Sequence, residues 1–190
     1  MDAELFYDYI ERISSFFRSE IRLAGIDYDL HPIQLNALFY LHRCNRYSDT
    51  HQGVSDYFGL TKGTVSQTLK SLESKGLIQK KKDMADGRVF HLKVTSEGIK
   101  VIEKFLPTQT GEKALKKLPE RTQKQLLENL RLLLQAMQKS NAMRPFGICR
   151  NCRFNQKKGA GRYFCGLTEE ALSRTDIELL CREYENVENS

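Results

Sequence analysis

The stretch VSDYFGLTKGTVSQTLKSLESKGLIQKKKDMADGRVFHLKVTSEG, residues 54–98, constrains the fold most, because its hydrophobic period switches from helical to strand-like within one short span. Val65, Leu69 and Leu72 recur at spacings of four and three, so they share one face of a helix. Thr61 is placed to cap that helix through its hydroxyl, and Gly76 to end it in a left-handed conformation. Gly59 marks a tight turn from a shorter helix before it. Beyond Gly76, LIQKKKDMADGRVFHLKVT reads as two strands about a turn at Asp86-Gly87, with Val89, Phe90, Leu92 and Val94 supplying β-favouring side chains. Helix, turn, helix and hairpin in this order predict a winged helix-turn-helix.

The helix face opposite Val65, Leu69 and Leu72 carries Gly63, Gln67, Lys70 and Ser74, flanked by Lys62, Thr64, Ser66 and Ser71. It offers donors and acceptors without a large apolar residue or a carboxylate, which suits a helix that reads base edges in a major groove. Lys80, Lys81 and Lys82 lie on the first arm of the hairpin and Arg88 follows its tip, positions from which cations grip phosphates. Charge follows the same division: residues 1–60 hold five Lys/Arg against nine Asp/Glu, and residues 61–104 hold ten against five. A solvated basic surface is the plainer alternative on charge alone.

Upstream, Ala3 to Leu23 has Leu5, Phe6, Tyr9, Ile10, Ile13, Phe16, Phe17 and Ile21 at three- and four-residue intervals, an amphipathic helix with a broad aromatic stripe. GIDYDLHP breaks it, and Pro32 opens a second helix with Ile33, Leu35, Leu38, Phe39 and Leu41. RCNRYSDTHQG reads as a polar separator. After the hairpin, Ser96 is the expected N-cap of a helix that Pro107 and Gly111 interrupt. From about Pro119 to Lys139 a last helix places Leu126, Leu130, Leu133 and Met137 on one stripe, with Leu127 and Leu134 beside it. That stripe fits a dimer interface; the alternative is an intramolecular core helix.

GLTKGTVSQTLKSLESKGLI and DMADGRVFHLKVTSEG resemble the recognition helix and wing of the MarR-type transcriptional regulators, and the resemblance extends over residues 1–139. It implies a homodimer on a pseudo-palindromic operator in double-stranded DNA, with the first and last of these helices as the dimer interface. It also implies minor-groove or phosphate contact by Arg88, the only arginine at the tip, and a small-molecule effector between the dimer helices and the DNA-binding lobe. No residue here selects such an effector.

Residues 140–190 lie outside that pattern, after a break at NAMRPFG. Cys149, Cys152, Cys165 and Cys181 follow with the spacing C-x2-C-x12-C-x15-C. A C-x2-C turn lets two thiolates converge on one metal, two more complete a tetrahedral shell, and KKGAG lets the chain double back between them. No histidine lies in this segment, so the site expected is all-thiolate: zinc, with a 4Fe-4S cluster as the alternative, in a structural or a metal- or redox-sensing role. A thiol redox switch without metal ranks next. A short helical stretch in LTEEALSRTDIELLCREYE is expected to deliver Cys181 over a small core of Leu167, Leu172, Ile177 and Leu180. Arg150, Arg153, Lys157, Lys158 and Arg162 surround the cysteines with no acid among them.

No stretch approaches the roughly 18 apolar residues of a membrane helix, and MDAELFYDYIER is acidic where a signal peptide is cationic and then apolar, so a cytoplasmic protein is expected. In that reducing compartment cysteines serve as ligands or packing groups, and Cys44, at a helix end, reads as packing. His31, His42, His51 and His91 are scattered without an acid/base motif, so no enzyme is expected. The chain thus reads as mainly α with a small β-hairpin wing: a winged helix-turn-helix domain with flanking dimerisation helices (1–139) and a four-cysteine metal-binding tail (140–190). The expected function is a DNA-binding transcriptional repressor. The runner-up is a winged-helix protein-interaction module with a zinc-stabilised docking tail.

Overall fold

The computed structural model describes residues 2–84, 86–141 and 143–187. Among these residues seven α-helices and seven short strands follow one another as α1 (Ala3–Ile26), α2 (Pro32–Arg43), α3 (His51–Phe58), α4 (Lys62–Ser74), β1 (Ile78–Lys82), β2 (Phe90–Val94), α5 (Ser96–Phe105), α6 (Gln109–Lys117), α7 (Glu120–Ser140), β3 (Gly147–Ile148), β4 (Asn155–Lys157), β5 (Tyr163–Cys165), β6 (Glu170–Leu172) and β7 (Leu180–Cys181), with single 3₁₀ turns at Cys149–Asn151 and Asp176–Glu178. The winged helix-turn-helix is present: Gly59 turns α3 into α4 at φ 63°, the Thr61 hydroxyl accepts from Thr64 N–H, and Gly76 leaves α4 at φ 68°. β1 and β2 pair antiparallel with Lys80 opposite Leu92, and the tip closes by a Val89 N–H bond to the Asp86 carbonyl at 2.9 Å.

The main core lies where α2, α4, α5 and β2 meet. Leu35, Leu38, Val65, Leu69, Leu72, Ile78, Leu92, Val101 and Ile102 are all buried in it. Each such side chain contributes about 1.5–3 kcal/mol, so α4 is fixed from below and its polar face is left outward. A second cluster of Cys149, Cys152, Leu172, Ile177, Cys181 and Tyr184 lies in the tail.

Several expectations are corrected. The cap of α5 is Thr95 rather than Ser96, because the Thr95 hydroxyl accepts from Gly98 N–H at 3.2 Å while donating to the Gly76 carbonyl at 2.7 Å. Gly111 does not interrupt a helix; it lies within α6, where an added Cβ would stand 2.8 Å from the Phe17 ring, so the glycine lets α6 close on α1. The polar stretch RCNRYSDTHQG is not a solvated separator. Asn45, Ser48 and Asp49 are buried, and α3 starts within it at His51 with Thr50 as its cap. No α-helix delivers Cys181: Glu170–Leu172 pairs with β5, and Ser173 and Asp176 bond each other's backbone N–H to close a single 3₁₀ turn. Leu167 is exposed, Leu180 packs against the main core, and Tyr184 joins Leu172 and Ile177 in the tail cluster.

Candidate nucleic-acid interface

Lys62, Gly63, Thr64, Ser66, Gln67, Lys70 and Ser74 are all exposed on α4, as the periodicity requires. The N-terminal turn is ordered by side chains: Thr64 Oγ1 lies 3.0 Å from Thr61 Oγ1, and Ser66 Oγ lies 2.9 Å from His51 Nε2 on α3. Gln67 and Lys70 extend from the next turn.

The wing cations divide. Lys80 is drawn back to Glu73 of α4 at 2.6 Å. Lys81 and Lys82 line a cleft with Asp83 and Lys93, and the Lys82 chain passes over Gly87 at the tip. Arg88 is 91% exposed, and its Nε and Nη2 both donate to the Asp86 carboxylate at 3.0 Å along one edge of the guanidinium, which keeps the guanidinium charged and the Asp86 carboxyl below its usual range. A cation so exposed and so oriented is a ready phosphate or groove contact. Between this wing, the start of α4 and the tail lies an open cleft of about 920 Å³, reached by Lys62, His51, Arg88, Arg46, Arg182 and Thr168.

Sequence reasoning missed what holds the wing. Asp49, 3% exposed, accepts from His91 Nδ1 at 2.5 Å and from Lys93 Nζ at 2.6 Å, and its carbonyl accepts from Leu92 N–H at 2.7 Å. Asp83 takes the other His91 nitrogen at 3.0 Å. The hydrogen bonds of Asp49 first, then those of Asp83, raise the His91 pKa above its ordinary 6.5. A raised folded value means that the protonated ring's contribution is complete below the unfolded pKa and is lost as pH rises through the folded one. The melting temperature is therefore expected to fall as pH climbs from about 6 upward, and His91→Gln should flatten that slope. An unchanged slope in the variant would remove His91 as the cause.

The tail brings its four cysteines into one place. Cys149, Cys152 and Cys181 are buried together with Cys165 packed against them, all as free thiols. β3 pairs Gly147 with Cys181, and β4 pairs Asn155 with Cys165. Burial, followed by the neighbouring Cys181, pushes the Cys149 thiol up to about 11, and burial raises Cys181. As packed, no three His, Cys, Asp or Glu side chains among the described residues form a ready-made metal group. The surrounding cations are not free of acids as the local sequence suggests: Arg150 pairs with Glu178, and Arg153 with Glu185 at 3.0 Å. Cys44 is a buried packing residue in the main core, its thiol pushed up to about 12 by burial.

A sequence model of the MarR family matches residues 28–89. A structure of the S. aureus MepR–DNA complex is 27% identical, covers 68% of this chain and 97% of its own, and superposes with a TM-score of 0.56. S. aureus MepR in its DNA-binding conformation, also 27% identical, covers 70% and 98% with a TM-score of 0.61. The fold is a winged helix similar to that of MepR, and residues 28–89 match the MarR family model. Streptococcus pneumoniae FabT in complex with DNA shows the same fold at 22% identity, covering 73% and 99% with a TM-score of 0.59. A MarR transcriptional regulator from Methanosarcina mazei Go1 shares the fold at 20% identity, covering 72% of this chain and 98% of its own with a TM-score of 0.60. No curated protein sequence matches the chain. No helix among the described residues is long and apolar enough to cross a membrane.

Proposed function

We propose that the chain is a cytoplasmic, homodimeric transcriptional repressor that recognises a pseudo-palindromic operator in double-stranded DNA. The observation that carries this reading is the exposed, carboxylate-free face of α4 beside a wing whose Arg88 is held outward by Asp86. The MepR–DNA complex, 27% identical, supports DNA as the partner. Exposed apolar residues on α1 and α7, among them Ile13, Phe16, Leu126, Leu130 and Leu134, support the dimer. A dimer seated on promoter DNA represses by excluding its competitors. An effector acting on the dimer belongs to the same reading, and the four-cysteine tail is its accessory site.

Gln67→Ala is expected to weaken specific binding by about 1–3 kcal/mol while leaving non-specific binding nearly unchanged, as read by gel shift on genomic fragments against random duplex. Lys82→Ala should weaken both alike and lower the salt slope by about one. Weak, sequence-blind binding by the unmodified protein would favour the protein-interaction alternative.

A further inference from the structure

The tail is attached to the reading head at the residues on either side of one of its cysteines. Before Cys181, the Leu180 carbonyl accepts from Asn45 N–H at 2.9 Å. After it, Arg182 N–H donates to Ser48 Oγ at 2.9 Å, and the Arg182 guanidinium reaches Asp56 of α3 at 2.8 Å, both side chains being mostly buried. The loop so gripped, residues 44–50, is the one whose Asp49 holds β2 of the wing through His91 and Lys93. On its other side the tail meets α7, where Gln135 donates to Asn186 at 2.6 Å.

Donors already point at the sulfurs. Glu185 N–H donates to Cys152 Sγ at 3.5 Å, and Asn155 Nδ2 to Cys149 Sγ at 3.6 Å. Asn45 Nδ2 is buried without a hydrogen-bond partner, and its amide lies beside Cys181. Such donors gain little from neutral thiols and much from thiolates, as around a bound metal. The tail also buries few apolar side chains besides its cysteines, a condition that metal ligation commonly offsets in segments of this size. The four cysteines belong to one cluster as free thiols, and four thiolates are the donor set of a closed tetrahedral zinc site.

We propose that Cys149, Cys152, Cys165 and Cys181 bind one zinc ion, and that this ion fastens the 44–50 loop, so that its loss weakens operator binding. The second half rests on the DNA-binding reading; the first does not. Full-length protein should contain about one zinc per chain and no iron by elemental analysis, and cobalt should substitute with the visible absorption of a tetrahedral thiolate site. Removing zinc with a strong chelator should lower specific DNA affinity about tenfold or more, and zinc should restore it. Arg182→Gln should keep its zinc yet show a similar loss, which separates the fastening from an unfolded tail. Absent zinc, or iron in its place, overturns the site. Zinc whose removal leaves affinity unchanged overturns the fastening. Zinc-loaded protein that selects no DNA fragment overturns the DNA reading and the fastening with it, while the zinc content still decides the site.

Discussion

On the proposed homodimer, Leu130→Glu is expected to leave a folded monomer. Leu130 is 44% exposed in the single chain and lies outside both buried clusters, so the fold does not depend on it. Leu126, Leu127, Leu134 and Met137 share its exposure on α7, and α1 adds Leu5, Phe6, Ile13, Phe16 and Phe17. So much uncovered apolar surface on two helices is the mark of an interface. In a two-fold dimer each substitution acts twice. Losing a leucine's burial and setting a carboxylate in apolar surroundings costs about 2–3 kcal/mol per copy, hence about 5 kcal/mol in all. At 1.4 kcal/mol per decade the dimer constant weakens by about three orders of magnitude or more. Sedimentation velocity at micromolar concentration reads the mass, circular dichroism checks that helicity persists, and a gel shift should show operator affinity collapsing, since one winged helix reads only a half-site. A variant that stays dimeric would move the interface off α7.

Where the sequence is legible, local chemistry and burial agree. In α4, Thr61, Val65, Leu69, Leu72 and Gly76 each carry a cap, a core or a stop signal, and every one takes that role. The same periodicity places Lys62, Thr64, Ser66, Gln67 and Lys70 outward. The loop 44–50 is illegible for the opposite reason. Asn45, Ser48 and Asp49 carry the composition of a solvated turn, yet long-range partners bury them: Leu180 and Arg182 from one side, His91, Leu92 and Lys93 from the other. Lys80 shows the limit for charges. Its sequence neighbours are Lys81 and Lys82, but pairing with Glu73 follows from the hairpin folding back on α4. The tail's cysteine spacing predicts convergence, and the backbone supplies it, but through short strands where the leucine spacing suggests a helix. Strands of two or three residues have too few side chains to show a period.

The loop's importance can be measured with one methyl group. Gly53→Ala is expected to destabilise the fold by about 3 kcal/mol, the upper end for overpacking, although alanine favours an ordinary helix interior by about 1 kcal/mol over glycine. The sign is decided by the neighbours. A Cβ at Gly53 would stand 2.1 Å from the Ser48 carbonyl oxygen and 2.9 Å from the Tyr40 hydroxyl. Tyr40 OH already donates to that same Ser48 oxygen at 2.9 Å, so the two obstacles lock each other. Neither is a flexible chain end: Ser48 is backbone tied between Asn45 and Arg182, and Tyr40 is 2% exposed against Tyr57, Phe58 and Phe146. To admit the methyl, α3 must part from the loop, which also loosens Asp49 from the wing. At about 2–4 °C per kcal/mol for a chain of this size, the melting temperature should fall by about 6–12 °C. Gly63→Ala on α4 is the control: its Cβ meets nothing closer than 4.0 Å, so stability should hold or rise slightly. Equal melting temperatures for the two variants would show that α3 can shift freely, and that the 44–50 loop does not fix the reading head.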